Sequence, residues 1–108
     1  MREIKESDWK TLRQLFPLAL DRFCELVLAE IDEIQGDDTT TRHQKYIGVF
    51  HIMRRRNEEM ARVFDDPRRS KALMQLTALR ARKLLTDEEF ARFSEETRSI
   101  IQALLSHR

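Results

Sequence analysis

Residues 16–34 read FPLALDRFCELVLAEIDEI, and the fold turns on that stretch. Leu18, Leu20, Phe23, Cys24, Leu26, Val27, Leu28, Ile31 and Ile34 recur at intervals of three and four, the period of a helix and not the period of two of a half-buried strand. On a wheel of about 100° per residue they fill an arc of roughly 200°. Asp21, Arg22, Glu25, Asp32 and Glu33 take the other side. An arc that wide needs neighbours on two sides, which places this helix at the centre of a bundle or at a dimer seam. The same charges keep the stretch from reading as a membrane span. Pro17 suits a helix start and not a helix interior, so it predicts a kink or a restart, with Ser7 capping an earlier turn through Trp9 and Leu12.

Working outward, the same periodicity continues nearly everywhere. The expected fold is all-α: a single-domain antiparallel bundle of four main helices, over about 8–34, 42–64, 67–84 and 87–105. Gly36 suits the left-handed residue that follows the first helix, and Thr40 or Thr41 can cap the second. Helix two shows a heptad-like seam of Tyr46, Phe50, Met53, Asn57, Met60 and Phe64. Asp66-Pro67 ends that helix and is expected to start the third as N-cap and first helical residue. Thr86 with Glu89 three positions on forms a capping box, and Leu85 with Phe90 can supply its hydrophobic staple. Helix four then offers Phe90, Phe93, Thr97, Ile100, Ile101 and Leu104 on one face, as a surface helix of a bundle does.

The chain has 108 residues, 36% of them charged and 41% hydrophobic, enough apolar material for one small core but with little to spare. Only 2 Gly and 2 Pro favour long regular elements. The single cysteine forms no internal disulfide, and the charged N-terminus lacks an apolar signal stretch, so a cytoplasmic location is expected. Basic and acidic residues nearly balance, 20 against 19, yet they are segregated. Residues 1–38 carry a net −5, residues 39–83 a net +8 and residues 84–108 a net −2. A basic middle between acidic ends either pairs internally or meets an anionic partner.

Few residues assemble into recognisable chemistry. His43 and His51 are eight apart, outside the spacing that puts two metal ligands on neighbouring turns, and His107 sits at a fraying end; no metal is expected. Cys24, between Leu20 and Val27, reads as a packed thiol and not as a nucleophile. No nucleophile elbow or glycine-rich phosphate loop is present, so no enzyme and no cofactor is expected. Glu30 interrupts the apolar arc of helix one at the level of the first turns of helix two, which predicts a polar contact with His43 or Tyr46. Asn57, the polar member of the helix-two seam, is a candidate for fixing register or partner number. The segment Lys83-Leu84-Leu85-Thr86-Asp87-Glu88-Glu89-Phe90 resembles the Leu-Thr-x-Glu-Glu-Phe turn of short helical modules that follow many bacterial domains. That likeness reduces to the capping box and implies no activity.

Two functions compete. The favoured one is a small bacterial-type interaction or accessory module that binds a protein partner or itself as a homodimer. The alternative is nucleic-acid binding through helices two and three, with Arg55, Arg62, Arg68 and Arg69 as the outward cations. Three consecutive arginines at 54–56 point about 100° apart on a helix, which spreads them around the axis. Arg56 and Arg80 fall inside apolar arcs, with stems along the core and heads reaching for acids. The expected outcome is pairing between an acidic first helix and basic second and third helices.

Overall fold

The computed structural model describes residues 4–107. These residues form helices and no strand: α1 (Glu6–Gln35), α2 (Arg42–Phe64), a 3-10 turn (Arg69–Lys71), α3 (Ala72–Ala81), α4 (Asp87–Phe90) and α5 (Glu95–Ser106). The all-α class follows directly from the three-and-four periodicity. No helix of the described residues is long and apolar enough to cross a membrane.

α1 passes through Pro17 without restarting. Pro17 and Arg13, whose carbonyl loses its hydrogen-bond donor, both lie on the exposed side, where water can replace the bond. On the opposite side Leu12, Leu15, Ala19, Phe23 and Val27 are buried and keep the helix continuous. Its start is not capped by Ser7. The N-cap position is Lys5, with no side-chain cap, and the Ser7 carbonyl accepts from Thr11 Oγ1 at 3.1 Å.

α2 begins with a full capping box. Thr41 Oγ1 accepts from the Gln44 amide at 3.1 Å, and Gln44 Oε1 accepts from the Thr41 amide at 2.8 Å. Gly36 is right-handed, at φ −80°. The left-handed residues are Asp66 (φ 50°) and Lys83 (φ 58°). Asp66 therefore does not cap a helix at Pro67; its carboxylate takes Arg68 Nε at 2.8 Å and Lys71 Nζ at 3.5 Å, and α3 begins only at Ala72. Lys83 closes α3: the Lys83 amide donates to Arg80 O and the Leu84 amide to Leu79 O, both at 3.0 Å, which drops Leu84 into the core. Glycine holds that conformation without steric cost. Lys83→Gly is expected to stabilise the protein by about 0.5–1 kcal/mol, and a urea midpoint at or below that of the parent chain would contradict it.

The fourth helix foreseen over 87–105 is two helices. α4 is a single turn opened by the foreseen capping box, Thr86 Oγ1 accepting from the Glu89 amide and Glu89 Oε1 from the Thr86 amide. The chain then turns at 91–93 so that Phe90 and Phe93 are both buried, their rings 6.2 Å apart. Ser94 caps α5.

The core joins the first 22 residues of α1 to Val63, α3, Leu84, Leu85, Phe90, Phe93 and Ile101. The rest of α1 and most of α2 extend away from it as a helical hairpin, in a molecule of 52 × 27 × 25 Å. The arrangement is thus a compact head with an arm, not four helices bundled side by side. Val63 is the buried residue of α2.

Candidate interaction surface

Two stripes on α2 have coiled-coil spacing, and the fold turns the smaller one inward. Gly48, Ile52, Arg56, Glu59 and Val63, at intervals of four, four, three and four, face α1. The position of a Gly48 Cβ would be 3.4 Å from Ile34, and Ile52 packs partly buried on the core. The larger stripe, expected to be a seam, points to solvent. Tyr46 is 73% exposed, Phe50 54% and Met53 40%; Asn57 is exposed as well. Only Met60 and Phe64, at the head end, are partly buried against the core. Phe64 makes edge contacts with Phe16 and Phe23 at 6.1 and 5.7 Å.

The inward choice follows from charge. Arg56 and Glu59 on the inner stripe tie three helices together at the root of the arm. Arg56 Nε donates to Glu30 Oε1 at 2.7 Å and its Nη1 to Glu59 Oε1 at 2.6 Å, while Arg82 Nε, just past α3, donates to Glu59 Oε2 at 2.7 Å. Burial pushes the Glu59 carboxyl up, but the hydrogen bonds from Arg82 and Arg56 outweigh it and the net shift is down. Glu30 is therefore held by Arg56, with Arg55 at 3.7 Å, and not by His43 or Tyr46. An arginine offers a carboxylate charge and a fork of donors, where Tyr46 offers one hydroxyl and points outward. His43 is exposed too.

The four arginines proposed as an anion-binding surface fare unevenly. Arg55 reaches Glu30, Arg68 pairs with Asp66, and Arg69 donates to Glu6 at 2.6 Å and to the Ile4 carbonyl at 3.2 Å. Arg62 has no acidic partner among the described residues. Much of the basic middle is thus neutralised within the chain, and Arg80 lies over the Phe90 ring at 4.4 Å with Asp87 and the Leu85 carbonyl as acceptors.

What the arm leaves open is apolar. A groove of about 530 Å³ runs along it, lined by Gln35 from α1 and by Arg42, Lys45, Tyr46, Val49, Phe50 and Met53 from α2. Farther back along α1, Leu28 is 60% exposed in a smaller cleft that Asp21, Cys24, Glu25 and Asp32 also line. Cys24 is half-buried there and not enclosed. The 200° apolar arc of α1 is therefore filled on one side only: Leu18, Leu26 and Leu28 are all exposed. Among the described residues no group of three or more His, Cys, Asp or Glu side chains stands where it could hold a metal ion.

The polar centre of the head was not foreseen. Asp8, 2% exposed, accepts from the Ser94 amide at 2.8 Å, Ser94 Oγ at 2.6 Å and Thr97 Oγ1 at 2.7 Å. Burial raises its pKa, but the hydrogen bonds from Ser94 and Thr97 outweigh that and hold it below its ordinary 3.8. All of its contacts are structural donors at a helix start, so the group clamps α1 to α5. Ser94-Glu95-Glu96-Thr97 carried the signal, a capping serine followed by two acids in a first helical turn. A second clamp joins α1 to α4, where Arg22 donates to both oxygens of Glu89 at 2.6 and 2.9 Å and to the Leu84 carbonyl at 2.8 Å.

Comparisons with protein-family models, with curated proteins and with solved structures find no match for this chain.

Proposed function

We propose that this protein is a cytoplasmic protein-interaction module that works through the outer face of its helical arm. The observation that carries the reading is the row Tyr46, Phe50 and Met53, three large side chains left 40–73% exposed along one helix and flanking an open groove. Scattered surface hydrophobes are ordinary, but a contiguous apolar row at helical spacing, rimmed by charge, has the composition of a docking face. Aromatic residues and methionine are also the side chains that supply most binding energy at such faces. The head supplies a rigid base through the Asp8 and Arg22 clamps. The arginine pairings support this reading over nucleic-acid binding, because Arg55, Arg68 and Arg69 already have acidic partners.

A photoreactive phenylalanine analogue at position 50 tests it. Irradiation in cells is expected to give a discrete protein adduct, and the same analogue at exposed Glu88 is expected to give none. Equal labelling at both sites, or none at either, would overturn the reading.

A further inference from the structure

We infer that the occupant of the arm's apolar face is a second copy of this chain, two arms packing face to face as an antiparallel four-helix bundle. The inference rests on the docking role proposed for that face and adds the identity of the partner.

Its first support is which residues share the face. Asp21, Leu28 and Gln35 stand at heptad spacing on α1 and so look to nearly the same side. Gln35 lines the same groove as Tyr46, Phe50 and Met53. Leu28 therefore projects on the same broad side of the arm as the α2 row, one protruding apolar side chain beside one groove.

The second support is charge. On this side the α1 half carries Asp21, Glu25 and Asp32, and the α2 half carries Arg42, Lys45 and Arg54. Among the described residues neither Asp32 nor Arg54 has an ionic partner. A face that is acidic on one helix and basic on the other is self-complementary under a two-fold axis, but only for one direction of that axis. An axis running along the arm lays each α1 on the other copy's α2, acid on base, with the arm tips side by side. An axis across the arm would lay α1 on α1 and oppose the acids.

The register also fits. Ile34 lies against Gly48, so going back up the arm Asp32 is level with Phe50 and Leu28 with Arg54. Those levels are one turn apart, about 6 Å along the helix, within the span of an arginine side chain. Asp32 of one copy thus meets Arg54 of the other, twice by symmetry, while Leu28 meets the Met53 end of the opposite groove.

Sedimentation equilibrium of the purified full chain is the test. Twice the 12.9 kDa chain mass is expected at tens of micromolar. Asp32→Lys and Arg54→Glu are both at exposed positions, and each alone is expected to weaken the dimer by roughly tenfold or more, because each places two like-charge contacts in the interface. Mixed in equal amounts, the two variants are expected to regain the dimer, since both contacts in the mixed pair are then of opposite sign. Unchanged helicity by circular dichroism separates lost association from lost folding. A parent chain that stays monomeric at hundreds of micromolar overturns the second copy as occupant. So does failure of the mixture to reassociate, or single variants that dimerise like the parent. If the purified chain is monomeric while position 50 still gives a discrete adduct in cells, the docking role stands with a different partner; if both fail, the docking role falls too.

Discussion

Asp8→Ala is expected to cost roughly 3 kcal/mol of folding stability, a large share of what a domain this size possesses. The carboxylate is buried and charged, and the three donors that satisfy it come from Ser94 and Thr97 at the start of α5. Without it the Ser94 amide and two hydroxyls lose their acceptor in a region water reaches poorly. Asp8→Asn keeps the shape and one acceptor oxygen, and is expected to cost about half as much. Urea unfolding with an unchanged m-value measures both. A loss below about 1 kcal/mol for Asp8→Ala would show that α5 docks through its apolar face alone. Because folding lowers the pKa of Asp8, its contribution is present above the ordinary value of 3.8 and is lost as pH falls below it.

Glu89→Gln is expected to cost about 2 kcal/mol near neutral pH, with a loss that depends on acidity in a defined way. Hydrogen bonds from Arg22 hold the Glu89 carboxyl down, from 4.5 to about 2, against an opposing effect of burial, with the Thr86 amide adding to the lowering. A carboxylate whose pKa is lowered by folding stabilises fully above its unfolded value and progressively less as pH falls towards its folded one. The stability gap between the parent chain and Glu89→Gln is therefore expected to be constant above about pH 4.5 and to have largely closed near pH 2. Paired urea titrations at several pH values test it. A gap that persists unchanged at pH 2 would mean that the amide fails by disturbing the α4 cap, not by losing the ion pair with Arg22.

Both clamps explain why the sequence was legible in some places and not in others. Thr86 with Glu89 was readable because a capping box is a local event, complete within four residues. That Glu89 also takes Arg22 was not, since the partner lies 67 residues away. Asp8 was hidden for the same reason: a polar residue in a first helical turn ordinarily faces water, and only the packing of α5 encloses it. The arm shows a different kind of limit. α2 has two stripes spaced by threes and fours, and ranking them by hydrophobic size selects Tyr46, Phe50 and Met53 for the interior. The fold instead buries the stripe whose charges, Arg56 and Glu59, find partners in Glu30 and Arg82. Periodicity names the candidate faces of a helix, but charges on neighbouring elements choose between them. Pro17 failed as a boundary because Leu12, Leu15 and Ala19 on the far side outweigh one missing hydrogen bond.

The Asp8–Ser94 bond also orders events in time. Its two residues are 86 positions apart, so the head closes only after Ser94 has left the ribosome. The arm joins residues far closer in sequence, Gln35 to Lys45 and Glu30 to Arg56, and closing short loops is both cheap and fast. During synthesis the arm can therefore assemble while the start of α1 still waits for α5. In the interval the core lacks Ile101, which α5 supplies. A chain stalled before Ser94 would carry a finished arm on a head that is not yet clamped, which makes the docking of α5 the step that closes the head.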